Sequence, residues 1–151
     1  MVVNMLIMRK LSRGKLAFSK YLTTGILSNQ VSLAILILRV GFALLLMPHG
    51  YDKLQEFLAG HHYFPDPLHV TPIVSHGLTI FAEFFCSFLL FLGLFTRPAL
   101  IVLIICMTTI AFLIHGNDPL GDKEHALLYL IAYISIFLTG AGKYSLDARL
   151  F

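Results

Sequence analysis

The chain has 151 residues, of which 58% are hydrophobic and 13% charged, with 11 Lys and Arg against 8 Asp and Glu. That length excludes more than one ordinary domain, and so few charges exclude an average soluble protein, where about a quarter of residues are charged. The net charge is only +3, so the placement of the charges says more than their sum.

Residues 1–30 carry Arg9, Lys10, Arg13, Lys15 and Lys20 and no acid, interleaved with Leu6, Ile7, Leu11, Leu16 and Phe18. The segment reads as a basic cytoplasmic tail that leans on anionic lipid. A surface-bound amphipathic helix and an organellar targeting segment are the other readings of this pattern. A cleaved secretory signal is not expected, because no small-residue cleavage pattern accompanies the first long apolar run.

That run, residues 31–47, contains one ionisable side chain, Arg39. At about 1.5 Å per helical residue it reaches roughly 25 Å, close to the ~30 Å of a hydrocarbon core. The next segment, 48–72, holds Pro48, Gly50, Gly60, Pro65, Pro67 and Pro72 and is expected to be a loop large enough to form a lid. Pro48 should kink the first helix just before His49 and Lys53, which are four apart and so able to turn together toward one mouth. Residues 73–94 form a second apolar run, broken only by His76 and Glu83. Gly93, Thr96, Arg97 and Pro98 predict a tight hairpin into a third run, 98–114, which has no ionisable residue. A second turn-rich segment, 115–124, leads to a shorter fourth run, 126–138, which spans only by recruiting Glu124, His125 and Thr139. These runs are apolar nearly all round, unlike soluble amphipathic helices. The expected fold is all-α: a transmembrane four-helix bundle over residues 31–150.

The basic residues orient it. With four crossings, Arg9, Lys10, Arg13, Lys15, Lys20, Arg97, Lys143 and Arg149 lie on one side, and only Lys53 and Lys123 on the other. By the positive-inside rule both termini are cytoplasmic. The opposite, exterior side then receives His49, His61, His62, His69, His115 and His125, with His76 at a span end.

Ionisable residues inside a bilayer are costly, so Arg39 and Glu83 should turn inward and find partners. Counted along their helices from the cytoplasmic end they lie at similar depth, about 12 and 16 Å, and an Arg39–Glu83 ion pair is expected between adjacent antiparallel helices. Arg39, Glu83 and Lys53 are the candidates for a binding or structural pair. Such a clamp fixes helix register, whereas the functional alternative makes Glu83 a proton-carrying or ligand-holding carboxylate. His76, Thr79, Glu83, Cys86 and Ser87 recur at three- and four-residue steps and line one polar seam. The ordinary reading of that seam is helix packing. The other is a narrow pocket closed at its outer end by His49, Lys53, His115, Glu124 and His125.

Cys86 and Cys106 share a depth, but no Cys-x-x-Cys is present, so small-residue packing is their expected role. The outer histidines lack compact ligand spacing, and no metal site is expected. No phosphate-binding loop, haem-attachment motif or nucleophile elbow occurs.

In order, Arg39, Gly41, His49-Gly50, Lys53-Leu54, Glu83, Gly93-Leu94-Phe95-Thr96-Arg97, His115 and Gly142-Lys143-Tyr144-Ser145-Leu146-Asp147 resemble the DoxX family of small four-span membrane proteins, from about residue 31 to 150. Many relatives carry two glycines three and four residues after the intramembrane glutamate, where this chain has Cys86 and Ser87. The resemblance implies a multi-pass protein of a bacterial inner membrane. It also implies a subunit of a membrane oxidoreductase handling a quinone or other lipophilic carrier, because the family name attaches to a thiosulfate-to-quinone oxidoreductase subunit. Under that reading His49, Glu83 and His115 are the catalytic candidates, with the histidines relaying protons between Glu83 and the exterior. Two alternatives stay open: a non-catalytic partner or assembly factor for a membrane or periplasmic protein, and a small lipid-binding or transport bundle. The lipid bilayer is a partner under each reading, and nucleic acid under none.

Overall fold

The computed structural model describes residues 28–61 and 63–151, all helix and turn with no strand among them. The basic tail expected over 1–30 falls almost wholly outside the described residues, as does His62.

Helix α1, Asn29–Leu58, starts where the Ser28 hydroxyl accepts the Val31 amide and runs for 30 residues, about 45 Å. Pro48 lies inside it. The expected 48–72 loop therefore shrinks to residues 59–71, and the helix continues through Pro48, the position expected to kink it, for ten more residues. A proline removes one amide donor, and in an apolar span that local loss is tolerated when packing compensates. Here the next three turns pack on the neighbouring helix through Gly50, Lys53 and Phe57.

Helix α2, Pro72–Leu92, has Pro at its start, where a missing amide costs nothing, and the Thr71 hydroxyl accepts the Val74 amide. Its middle, Phe81–Cys86, winds as a π-helix and carries Glu83. It ends on left-handed Gly93, φ +67°. Helix α3, Thr96–Ile114, has Pro98 in its first turn and a second π segment, Ile110–Ile114. Helix α4, Leu120–Thr139, packs along α3, and the four-residue α5, Asp147–Leu150, follows.

The distribution of residues is inverted relative to a soluble protein. Ile37, Leu45, Ile105, Phe112, Ile131 and Leu138 are exposed, while Arg39, Glu83, His76, Ser87 and Asp147 are buried. Leu90, Leu100, Leu103, Met107, Tyr133 and Ile136 fill the centre. Three helices, α1, α2 and α3, are long and apolar enough to cross a membrane. Helix α4 matches them in length but carries Asp122, Lys123 and Glu124 near its start.

The crossing of α1 and α2 fixes the site. A Cβ on Gly50 would stand 2.5 Å from the Phe84 nitrogen and 2.6 Å from the Glu83 carbonyl carbon, so the two backbones touch there. Small residues allow such contact in membrane bundles.

Candidate functional site

Three polar assemblies lie along α1 and α2. At the α1 N-terminal end, Arg39 is 1% exposed. Its Nη1 donates to the Leu90 carbonyl at 3.0 Å and the Phe91 carbonyl at 3.2 Å, and its Nη2 to the Tyr144 carbonyl at 2.8 Å. These α2 carbonyls belong to the last turn, where the Gly93 amide reaches the Leu90 carbonyl at 3.1 Å and the helix dipole favours a cation. Gly93 makes room, because a Cβ there would lie 1.8 Å from Nη1. Asp147 closes the same end, accepting the Phe95 amide at 2.7 Å and the Thr96 amide at 2.9 Å. Ser145 accepts the Ala148 amide and donates to the Gly142 carbonyl. The segments 93–97 and 142–147 thus form one clasp around Arg39.

At mid-bundle, Lys53 Nζ stands 2.5 Å from Glu83 Oε2, the carboxylate side chain 3% exposed and the lysine 27%. The expected Arg39–Glu83 pair is therefore not the arrangement found: each has another partner. In a helix the Cα–Cβ bond tilts toward the N-terminus. On antiparallel helices that tilt carries Arg39 toward the Gly93 hairpin and Glu83 away from it, so equal nominal depth does not bring them together. Tyr129 and Tyr133 of α4 and Cys106 of α3 lie close enough to sense the Glu83 charge. The Tyr133 and Ser87 hydroxyls are both fully buried without a hydrogen-bond partner.

At the outer end, His76 is 1% exposed with neither ring nitrogen hydrogen-bonded. It stacks on Phe64 at 4.4 Å and meets Phe57 edge-on at 5.3 Å. The loop above is held by Asp66, which accepts from the Ser75 hydroxyl at 2.7 Å and from the Thr71 and Val70 amides at 2.9 and 3.1 Å. These bonds hold His69 and Thr71 at φ +53° and +112°, conformations unfavourable for residues with a Cβ. Desolvation opposes ionisation of Asp66, but the bonds from Ser75, Thr71 and Val70 and the nearby His69 outweigh it and hold the carboxyl below its ordinary range. A depressed folded pKa contributes stability above the unfolded value and loses it as pH falls through the folded one. The protection factors of the Val70 and Thr71 amides, taken against the pH-dependent intrinsic exchange rate, are therefore expected to fall on acidification below the ordinary carboxylate range. In Asp66→Ala they should be low at every pH, and protection factors independent of pH in the native chain would refute this role of Asp66.

Under this loop, between α2 and α3, lies an apolar cavity of about 170 Å³ lined by Phe64, Pro67, Leu78, Phe81, Val102, Ile105 and Ile114 among others. Its few polar walls are Ser75, Thr79, Cys106 and Thr109, and it reaches Ala82, the residue before Glu83.

The sequence-predicted residues divide accordingly. Lys53 and Glu83 come together, while Arg39 joins the clasp. His49 is exposed on α1, and His115 Nδ1 lies 2.8 Å from Asp118 Oδ2 in the α3–α4 loop. Neither lines the cavity that reaches Ala82, whereas the relay required both to border one cavity leading to Glu83. His125 and Glu124 are exposed. Of the five outer residues expected to close a pocket, only Lys53 bonds to Glu83. His76, Cys86 and Ser87 of the expected seam are buried, whereas Thr79 is half-buried and borders the cavity. Cys86 and Cys106 are free thiols. No group able to hold a metal occurs among the described residues. Sequence reasoning missed Tyr129, Tyr133 and the capping role of Asp147. Two tyrosines four apart on a membrane helix share a face, and their hydroxyls were the available signal.

A family model for DoxX matches residues 34–116. The match stops before the Gly142–Asp147 segment and so is shorter than the stretch from 31 to 150 suggested by the residues. An uncharacterized protein of Haemophilus influenzae is 33% identical over 125 residues, covering 76% of this chain and 88% of the relative. No solved structure matches. Together with the apolar surface of its three long helices, these matches show that the chain belongs to the DoxX family of small membrane proteins.

Proposed function

We propose that this integral membrane protein is a four-span subunit of a bacterial inner-membrane oxidoreductase, with both termini cytoplasmic, that handles a quinone or similar lipophilic carrier at Lys53 and Glu83. The ion pair of buried Glu83 with half-buried Lys53, together with an apolar cavity that reaches Ala82, the residue before Glu83, carries the reading. The cavity suits a hydrophobic body, and the pair supplies a proton donor and an acceptor for a polar head. π-Helical turns recur at functional sites, and Glu83 sits in one. Quinone reduction needs two electrons and two protons. Lys53 donates one proton to a carrier oxygen and is reprotonated from water. Glu83 accepts a proton from water and passes it to the other oxygen, and the two electrons enter from a partner protein. His49 and His115 remain candidates only for proton exchange at the surface, since neither shares the cavity. As the fourth span, α4 has 20 residues, about 30 Å, and the basic asymmetry of the sequence orients all four.

The chain purified in mild detergent should carry co-eluting quinone, identified by lipid extraction and mass spectrometry, and a C-terminal reporter should be cytoplasmic. A quinone-free preparation that brings down a stoichiometric protein instead would replace this reading with that of an assembly partner. An exterior C-terminus would overturn the topology.

A further inference from the structure

A second crevice, remote from Lys53 and Glu83, opens at the clasp. It measures about 310 Å³ and lies between α1, the end of α2 and the 144–149 segment, lined by Leu36, Arg39, Phe91, Tyr144, Leu146 and Arg149 among others. Two arginines therefore line one small space. Arg39 is buried, and its Nε has no hydrogen-bond partner although both terminal nitrogens are engaged. A buried donor left unmade bears its full desolvation cost, which a ligand oxygen would remove. Arg149 is exposed. Asp147, whose charge reaches Arg39, is committed to the Phe95 and Thr96 amides. The charged residues lining the crevice are thus both cations, set among the neutral polar Tyr144 and Ser145 and an otherwise apolar wall.

We infer that this crevice binds the phosphate group of an anionic phospholipid, with Arg149 on the phosphate, the buried Arg39 at the base of the crevice, and Leu36 and Phe91 along the acyl chain. Guanidinium forks match phosphate oxygens geometrically. The apolar wall selects an amphiphile over a soluble ion. Arg97, Lys143 and Arg149 belong to the same basic end of the chain, where an anionic leaflet would concentrate such lipid. The site goes beyond the proposed carrier chemistry, and its test in detergent depends on neither that chemistry nor the topology.

The test is native mass spectrometry of the purified full chain with phosphatidylglycerol, phosphatidylcholine of the same acyl chains, or inorganic phosphate. The native protein should retain phosphatidylglycerol about fivefold better than phosphatidylcholine, the preference expected of one cationic side chain at an anionic head group. Arg149→Gln should bring the two lipids to parity with unchanged melting. Leu36→Trp, which fills the crevice from its apolar wall, should lower both. Equal retention of the two lipids by the native chain, or unaltered preference in Arg149→Gln, would refute the site. Displacement of phosphatidylglycerol by inorganic phosphate at equal concentration would mean that the crevice reads a soluble anion, and the lipid inference would fail.

Discussion

Gly93→Ala is expected to lower the melting temperature sharply. The new Cβ would stand 1.8 Å from Arg39 Nη1 and 2.7 Å from Ser145 Cβ, on a residue held at φ +67°. The left-handed backbone alone costs an L-residue about 1–2 kcal/mol. Displacing Arg39 costs more, because a buried cation stripped of its partners loses roughly 3–5 kcal/mol. Together these approach the whole stability of a small domain, about 5–15 kcal/mol. Thermal unfolding in detergent checks the expectation, and Gly93→Ala combined with Arg39→Leu separates its parts. The double variant removes the conflict with Arg39 and the buried charge while keeping the Ser145 contact and the left-handed backbone, so it should melt above Gly93→Ala alone and below the native protein. Should the single variant melt with the native protein, the contact between Gly93 and Arg39 is not what holds this end together.

The same clasp shows what was legible beforehand. The residues Arg39, Gly93-Leu94-Phe95-Thr96-Arg97 and Gly142-Lys143-Tyr144-Ser145-Leu146-Asp147 stood out in the sequence as an ordered set. Their joint purpose did not, because it rests on Arg39 bonding to carbonyls, and every residue offers a carbonyl whatever its side chain. Apolar run lengths located all four long helices, since the cost of an unsatisfied backbone in lipid leaves few alternatives to helix. Run lengths failed where a breaker was read too strongly. Pro48 looked like a kink at the start of a loop, yet Gly50, Lys53 and Phe57 beyond it contact α2 and reward continuation of the helix. That extension in turn places Lys53 against Glu83 inside the bundle, where a loop would have left it outside. Depth counting failed for Arg39 and Glu83 because it follows Cα positions, whereas long side chains on antiparallel helices tilt in opposite directions. The π turn at Phe81–Cys86 has no simple sequence signature, and it shifts the angular register of everything that follows it on α2.

Exchange at Lys53 and Glu83 should separate structure from function. Lys53→Met leaves Glu83 buried without its cation and is expected to destabilise by roughly 3–5 kcal/mol, as is usual when one member of a buried pair is removed. Glu83→Leu leaves Lys53, and the cost should be smaller, because that side chain is 27% exposed and its flexible stem can carry the ammonium to water. The double variant, Lys53→Met with Glu83→Leu, removes both charges and keeps comparable volume, so its stability should return to near native or exceed it. A double-mutant cycle in thermal or chemical unfolding measures this coupling. The functional claim then rests on the double variant. If the pair is only a register clamp, a stable apolar replacement should keep every companion of the native chain, lipid, carrier or protein. If Lys53 and Glu83 engage a carrier head group, the same well-folded variant should lose the co-eluting quinone while keeping its partner proteins. A double variant that remains folded and retains quinone at the native level would reduce the pair to scaffolding. One that cannot fold at all would show instead that the α1–α2 crossing at Gly50 depends on the charges themselves.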